Sequence, residues 1–277
     1  MKCRKRCARQ EKRAIFRIFL GQCRAGVAFF SKWLLVIFML MSTTLFAREI
    51  TVAVSANFQF AMQEIAREFK AANRIRVKTV VNSSGKLTAQ IRSGAPFDLF
   101  LSADMKYPQT LFASGDAATP PKIYTYGSVV FWTLKNIDLT RGLAVLTDKN
   151  IHNIAIANPQ TAPYGSAAVA ALKHAGIYEK IKPKLVFGRN VSQTNQYVFA
   201  KAADVGLTAQ SVVHSPKMRG VGRWAAVDST AYEPIAQGVA ILKYGEKQHP
   251  VAAKKFLDFL FGKTARAILK KYGYRLP

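Results

Sequence analysis

The sequence predicts an α/β protein of two lobes, each a mostly parallel sheet flanked by helices, with a cleft between the lobes. Two observations predict this fold. β-Branched and apolar runs alternate with segments of helical periodicity along residues 48–277, which is the pattern of β-α-β units. The alternation also restarts near residue 154, after a strongly β segment at 128–134. The chain is therefore expected to leave one sheet and build a second, with the ligand cleft at the carboxyl ends of the strands.

Lobe 1 is predicted to comprise residues 48–127 and 235–277. Its first helix carries Met62, Ile65 and Phe69 on one face, at the spacing of a buried helical stripe. The predicted strands are 50–54, 76–81, 98–102 and 238–242. The predicted helices are 60–71, 86–92, 108–114 and a long amphipathic helix at 249–272.

Lobe 2 is predicted to comprise residues 128–234. Its predicted strands are 128–134, 154–157, 185–187 and 203–208. Its predicted helices are 167–175 and 191–202, and 158–166 is predicted to be a loop. The chain crosses between the lobes near 126–128 and 233–235, where we expect a hinge for closure around a ligand.

Residues 1–47 differ from the remainder of the chain. They contain ten Lys/Arg, one acid and all three cysteines, and their apolar run at 33–41 is followed by small and polar residues ending in Ala47. This order is typical of a secretory signal, so we expect cleavage after Ala47 and a periplasmic protein. The alternative is an uncleaved membrane anchor that begins near Val27. Residues 48–277 contain no cysteine, which suits an oxidising compartment.

The charge of the chain favours small anions over nucleic acid. Without the leader, 31 Lys/Arg face 14 Asp/Glu, a formal charge of +17. The basic residues are spread along the chain and no nucleic-acid-binding signature accompanies them, so we expect no nucleic-acid partner. A basic surface attracts small anions instead. We expect a monomer.

Two polar turns follow predicted strands and precede predicted helices. One is Asn82-Ser83-Ser84-Gly85 and the other is Ser55-Ala56-Asn57. Serines at such junctions are expected to cap the first helical turn, where unpaired N–H groups and the helix dipole favour an anion. Neighbouring strands of one sheet would bring both turns to a single anion.

Residues 48–277 resemble the periplasmic molybdate-binding proteins of ABC importers, a branch of the type II solute-binding family. The resemblance follows the whole segment in order, and the combination of motifs is specific although each is short. The motifs are 50–58 (ITVAVSANF), 82–87 (NSSGKL), 94–104 (GAPFDLFLSAD), 157–159 (ANP), 162–165 (APYG), 188–193 (GRNVSQ) and 270–274 (KKYGY).

The resemblance implies a type II periplasmic-binding-protein fold, an oxyanion held between the lobes, and delivery to an ABC permease in the inner membrane. It implies that molybdate or tungstate is the ligand, without a cofactor and without direct ligands to a metal cation. The implied oxyanion contacts are Asn57, Ser84, Tyr164 and the backbone N–H of Val191. The secondary candidates are Ser55, Ala56, Ser83, Gly85 and Ser192.

One family feature is missing. Many members use a tyrosine shortly after the strand that contains Gly206, whereas this chain has Thr208-Ala209-Gln210 there. Some relatives have asparagine in the first turn and tyrosine in the Pro-Tyr-Gly motif, so Asn57 and Tyr164 are expected to compensate.

The residue types also argue against an enzyme. Neutral N–H and O–H donors bind a dianion without a counter-charge, and acids near it would repel it. We therefore expect Asp98 and Asp104 to fix turns, and the four histidines show no spacing of metal ligands. Two alternatives stay open at this point: a receptor for another oxyanion such as sulfate or phosphate, and a membrane-tethered anion-sensing domain of the same fold.

Overall fold

The structure is a computed structural model and describes residues 49–277. The expectations about residues 1–47, including the signal segment and its alternative as an anchor, lie outside the described residues. No helix within 49–277 is long and apolar enough to cross a membrane. The strands are β1 Glu49–Ser55, β2 Arg76–Asn82, β3 Leu99–Leu101, β4 Lys122–Gly127, β5 Val129–Thr133, β6 Ile154–Ala157, β7 Leu185–Gly188, β8 Val205–Ala209, β9 Arg223–Ala226 and β10 Ile235–Ile241.

Helices connect most of these strands. The α-helices are α1 Gln59–Asn73, α2 Ser84–Arg92, α3 Lys106–Ala113, α4 Pro163–His174, α5 Tyr178–Ile181, α6 Val191–Phe199, α7 Gln210–Val213, α8 Lys243–Gln248, α9 Pro250–Leu260 and α10 Lys263–Lys271. The 3-10 helices are Ala56–Phe58, Leu139–Thr147, Lys182–Lys184 and Ser229–Ala231.

The first sheet has the strand order β2-β1-β3-β10-β4. β1 lies parallel to β2 and β3, whereas β10 lies antiparallel to β3 and β4. Ser55 and Asn82 are register partners at the carboxyl ends of β1 and β2, so the two polar turns emerge side by side. We call the half of the protein built on this sheet lobe 1.

The second sheet has the order β7-β6-β8-β5-β9 and forms lobe 2. β6 lies parallel to β7 and β8, and β5 lies antiparallel to β8 and β9. Ala157 and Gly188 are register partners at the carboxyl ends of β6 and β7, so the loops before α4 and α6 also emerge together. Each sheet takes all its strands from one of the two predicted lobe segments. We therefore keep the proposal that lobe 1 comprises residues 48–127 and 235–277 and that lobe 2 comprises residues 128–234.

Apolar side chains hold helices on both faces of the first sheet. Along β1, Val52 and Val54 pack in the cluster that contains α1 and α9, whereas Ala53 packs in the cluster that contains α2. This alternation is the two-residue period of a strand. Phe69 of α1 meets Phe256 of α9 edge to face, with ring centroids 5.1 Å apart.

The α/β fold with two helix-flanked sheets is confirmed, and the sheets prove to be mixed rather than mostly parallel. In each sheet two strand pairs are parallel and two are antiparallel. The antiparallel pairs arise where the chain passes between the lobes: β4 and β5 flank the first crossing, and β9 and β10 flank the second. The sequence analysis did not predict β4 or β9, which lie at sheet edges.

Two predicted elements were wrong in extent. The long helix at 249–272 is two helices, α9 and α10, which are separated at Phe261 and Gly262; the N–H groups of these two residues bond to Asp258 and Phe259 and end α9. The predicted loop at 158–166 ends earlier, because α4 begins at Pro163. Proline is favoured in the first helical turn, and Tyr164 therefore lies on a helix.

Candidate functional site

A small cavity lies between the lobes, where the carboxyl ends of strands from both sheets meet. Lobe 1 contributes the residues that follow β1, β2 and β3, and lobe 2 contributes the residues that begin α4 and α6. The lining residues are Ser55, Ala56, Asn57, Ser83, Ser84, Ala103, Ala162, Pro163, Tyr164, Asn190 and Val191.

The four primary site residues from the sequence analysis, Asn57, Ser84, Tyr164 and Val191, all line this cavity. Three of the secondary candidates, Ser55, Ala56 and Ser83, line it too. The other two do not. Gly85 bonds across the cleft, and Ser192 lines a neighbouring groove beside α6. The structure thus brings together residues from four separate loops, and their role as ligand contacts stays a prediction.

The lining contains no charged side chain. The acid adjacent to Ala103 is Asp104, whose Oδ1 accepts hydrogen bonds from Ser102 Oγ at 3.0 Å and the Tyr107 N–H at 3.3 Å. Burial raises the pKa of Asp104 in spite of these bonds. Asp98 is also structural, because its Oδ2 accepts from the Thr51 N–H at 2.6 Å and its Oδ1 lies 2.7 Å from His249 Nδ1. The expectation of a turn-fixing acid is confirmed for Asp104. Asp98 instead joins β1 to His249, which are distant in sequence.

The serine hydroxyls do not cap the helices, contrary to the prediction. Ser55 and Ser83 precede helical turns, but neither side chain makes a capping bond. Both Oγ atoms are buried with no hydrogen-bond partner among the described residues. An unpaired buried hydroxyl costs about 1–3 kcal/mol. Two such groups in the wall of one cavity mark a place that a hydrogen-bonding ligand would complete.

The Ser84 hydroxyl has one hydrogen bond and keeps a donor. Its Oγ accepts from the Ala103 N–H at 3.0 Å, so its own hydrogen is left for the cavity. The helical turns that begin at Ala56, Ser84 and Val191 also start at the cavity wall. The first N–H groups of a helix have no partner within the helix, and they lie at its positive end. The site is therefore neutral in charge but rich in donors.

A fully buried polar network lies behind Asn57. Asn57 Nδ2 donates to Gln237 Oε1 at 2.9 Å and to the Tyr274 hydroxyl at 3.2 Å. The Tyr274 hydroxyl donates to the Asn57 carbonyl at 3.0 Å, and Tyr124 donates to Gln237 Oε1 at 3.1 Å. Gln237 Nε2 donates to the Tyr164 hydroxyl at 3.3 Å. Both amide hydrogens of Asn57 are therefore used inside the protein, which leaves its backbone N–H as the donor for a ligand.

The tyrosines of this network are held in their neutral form. Burial is the main cause that raises the pKa of Tyr164 well above its usual value, and the neighbouring Tyr274 and Tyr232 add to this rise. Burial likewise raises the pKa of Tyr124 and Tyr274. Each of these phenols therefore keeps its hydrogen at neutral pH and remains a hydrogen-bond donor.

Sequence reasoning missed Gln237, Tyr124 and Ser211, and it quoted Tyr274 only as part of a motif. The available signal was a glutamine within the apolar run IAQGVAI at 235–241, because a polar side chain in a buried strand needs a partner. In the segment 208–210, where the family tyrosine is missing, Gln210 contacts His214, with Nε2 atoms 3.3 Å apart.

The lobes are closed on the cavity through direct hydrogen bonds. The Gly85 N–H donates to the Thr161 carbonyl at 2.9 Å, and Ser211 Oγ donates to the Asn57 carbonyl at 2.8 Å. Asn190 Nδ2 also lies 3.4 Å from Asn82 Oδ1. Every one of these bonds joins a lobe 1 residue to a lobe 2 residue, so they depend on closure.

Comparison with known proteins identifies the family. A family model described as bacterial extracellular solute-binding protein matches residues 50–275. The chain is a bacterial extracellular solute-binding protein. This solute-binding protein is 38% identical over 232 residues to the molybdate-binding protein ModA of Azotobacter vinelandii, with 83% of this chain and 91% of the relative covered. It is 37% identical over 231 residues to ModA of Rhodobacter capsulatus, with 82% and 88% covered.

A solved structure agrees with these sequence matches. The periplasmic molybdate-binding protein of Azotobacter vinelandii superimposes on this solute-binding protein with a TM-score of 0.77 and 32% sequence identity, and the match covers 82% of this chain and 99% of that one. The resemblance noted from the sequence motifs is confirmed. Solute-binding proteins of this family are not enzymes, and within residues 49–277 no group of three or more His, Cys, Asp or Glu residues could hold a metal ion.

Proposed function

We propose that this protein captures molybdate in the interlobe cavity and delivers it to an ABC permease of the inner membrane. The observation that carries the proposal is the cavity wall, in which unpaired serine hydroxyls and helix N-termini from both lobes face an uncharged space. A tetrahedral dianion needs convergent donors around it, and neutral donors supply them without holding the ion too tightly for release. The ModA relatives, named as molybdate-binding proteins, support the same ligand.

The proposed contacts are the hydroxyls of Ser84 and Tyr164 and the backbone N–H groups of Asn57 and Val191. The unpaired hydroxyls of Ser55 and Ser83 are added to this set as donors, although the sequence analysis ranked them as secondary. Tungstate carries the same charge and nearly the same size, so this donor set should bind it about as well as molybdate.

Closure by a hinge at the two crossings would complete the site. The donors of lobe 1 follow β1 and β2, whereas Tyr164 and Val191 belong to lobe 2. A ligand that touches both sets favours the closed state over the open one, which is how differential contacts shift such an equilibrium. We propose that the permease recognises this closed form in the periplasm.

Titration calorimetry with the exported protein tests the ligand. Molybdate and tungstate should give saturable heat, and excess sulfate or phosphate should compete poorly. Absence of heat with both metal oxyanions would refute the proposal, and stronger binding of sulfate would favour the alternative receptor. N-terminal sequencing of the exported form tests the periplasmic location, because an intact leader would favour a membrane-anchored protein.

A further inference from the structure

The hydrogen bonds of the buried network behind Asn57 share one direction of donation. Its starting point is the Asn57 backbone carbonyl, which can only accept hydrogen bonds. The Tyr274 hydroxyl lies 3.0 Å from this oxygen and donates to it. The lone pairs of Tyr274 then face the Asn57 side chain at 3.2 Å, so the atom of Asn57 that meets them must be the Nδ2 donor.

The same reasoning fixes the orientation of Gln237. The second hydrogen of Asn57 Nδ2 points to the Gln237 amide at 2.9 Å, so the atom that receives it must be Oε1. The Tyr124 hydroxyl donates to the same oxygen at 3.1 Å. Nε2 is thereby turned to the Tyr164 hydroxyl at 3.3 Å, and the Tyr164 oxygen must accept. Tyr164 has one hydrogen, and it is left to donate toward the cavity that this residue lines.

The backbone around Gln237 supports this arrangement. Gln237 is fully buried on β10, and the register with β4 shifts between Gln237 and Gly238. Such a bulge re-aims a side chain from its regular direction. Gly127 leaves the room that the pair needs, because a Cβ there would lie 2.0 Å from the Tyr164 hydroxyl and 2.6 Å from Gln237 Nε2.

We infer that Gln237 is a specificity-determining residue: it holds Tyr164 as a hydrogen-bond donor to the ligand and so disfavours oxyanions that carry a proton. Molybdate and tungstate have no proton at neutral pH and benefit from one more donor. Hydrogen phosphate and hydrogen arsenate have the same charge but carry one proton, which needs an acceptor. This inference rests on the proposed function and adds a basis for its selectivity.

The replacement Gln237→Glu tests the direction of donation. A carboxylate has no hydrogen to give, and Asn57 Nδ2 and the Tyr124 hydroxyl would still donate to it. Tyr164 would then donate to its second oxygen and turn a lone pair to the cavity. The added charge repels all dianions alike, so the ratio of affinities for molybdate and hydrogen phosphate isolates the change at Tyr164.

The experiment measures dissociation constants at pH 8 for molybdate, tungstate, hydrogen phosphate and hydrogen arsenate with the exported protein. We expect the preference for molybdate over hydrogen phosphate to fall at least tenfold in Gln237→Glu. It should fall by less in Gln237→Met, which keeps the shape but leaves the Tyr164 hydroxyl free to turn. If Gln237→Glu does not fold, the comparison of the wild type with Gln237→Met tests the inference by itself.

The matched control is Thr125→Val. Thr125 is a fully buried register partner of Gln237 on β4, and its hydroxyl donates one hydrogen bond, to the Arg275 carbonyl at 2.8 Å. Loss of this hydrogen bond should weaken the binding of all four anions equally or not at all. If the wild-type protein binds no oxyanion, the proposed function is wrong. If the wild type binds molybdate and both Gln237 variants keep its selectivity ratio, only the role of Gln237 is overturned.

Discussion

The backbone N–H of Gly85 donates a 2.9 Å hydrogen bond to the carbonyl of Thr161, and this bond joins the two lobes beside the candidate site. The approach is possible because residue 85 has no side chain. A Cβ there would lie 3.1 Å from the Thr161 Cα and carbonyl oxygen and 2.7 Å from the Tyr107 hydroxyl.

Gly85→Ala should therefore weaken ligand binding by impeding closure. Overpacking costs about 1–3 kcal/mol, which corresponds to a rise in the molybdate dissociation constant of about five- to 150-fold. Gly85→Val should weaken binding further. Calorimetry measures both, and Gln90→Ala on the exposed face of the same helix is the control. An unchanged dissociation constant in Gly85→Val would show that this contact is not needed for binding.

Ser83→Ala should change stability and affinity in opposite directions. The free energy of unfolding without ligand should rise, because an unpaired buried hydroxyl costs about 1–3 kcal/mol. The molybdate dissociation constant should rise about tenfold or more, because a hydrogen bond to a charged group contributes about 1.5–3 kcal/mol. Denaturant titration and calorimetry give the two quantities.

Ser215→Ala is the matched control for this prediction. Ser215 Oγ is also buried and has no hydrogen-bond partner within the described residues, but Ser215 does not line the cavity. Its replacement should stabilise the protein and leave the affinity unchanged. Equal losses of affinity in the two variants would argue against a ligand contact from Ser83.

The buried tyrosines predict a loss of stability at alkaline pH. The pKa of Tyr124 and of Tyr164 is raised by burial above the value near 10 that they have in the unfolded chain. Above about pH 10 the unfolded state loses protons that the folded state retains, so the free energy of unfolding falls as pH rises. Below about pH 10 both the folded and the unfolded state keep these protons, so these groups do not make the free energy of unfolding depend on pH.

Denaturant titrations between pH 8 and pH 12 measure this slope. Tyr124→Phe should make the slope shallower by about one proton, since one titrating group is removed. The control is Tyr244→Phe, which removes the hydroxyl of an exposed tyrosine. A slope that is equal in the wild type and in Tyr124→Phe would contradict a neutral, buried Tyr124.

Ionic strength should act on the rate of molybdate capture. The formal charge of +17 on residues 48–277 attracts dianions over a distance that salt shortens to about 10 Å at 0.1 M. The association rate constant should therefore fall as salt is added. The dissociation rate constant should change little, because the cavity wall is uncharged. Stopped-flow fluorescence measures both, and a salt effect confined to dissociation would contradict the prediction.

The sequence predicts the alternation of strands and helices well, because the local patterns agree with the fold. β1 and α1 are examples, since Val52 and Val54 alternate with Ala53, and Ile65 and Phe69 lie four residues apart on one face. The break between α9 and α10 is not visible in the same way. Apolar periodicity continues across Phe261, and only the backbone bonds to Asp258 and Phe259 end the first helix.

The residues of the candidate site could be named from motifs, but their hydrogen bonds could not. Ser83 has the residue type and place of a helix cap, yet its hydroxyl makes no bond to the helix. Gln237 lies 180 residues from Asn57 in sequence, and only the return of β10 to the first sheet brings them together. Local propensity contains no information about such a pair.

Residues 274 and 275 support the candidate site from behind. Tyr274 is bonded to Asn57, and the Arg275 backbone exchanges hydrogen bonds with Tyr126 beside the first crossing between the lobes. A biosensor made by fusing a fluorophore domain directly after Tyr274 would strain these bonds. A spacer placed after Pro277 would preserve them and put the reporter near β4, which leads into the first crossing between the lobes.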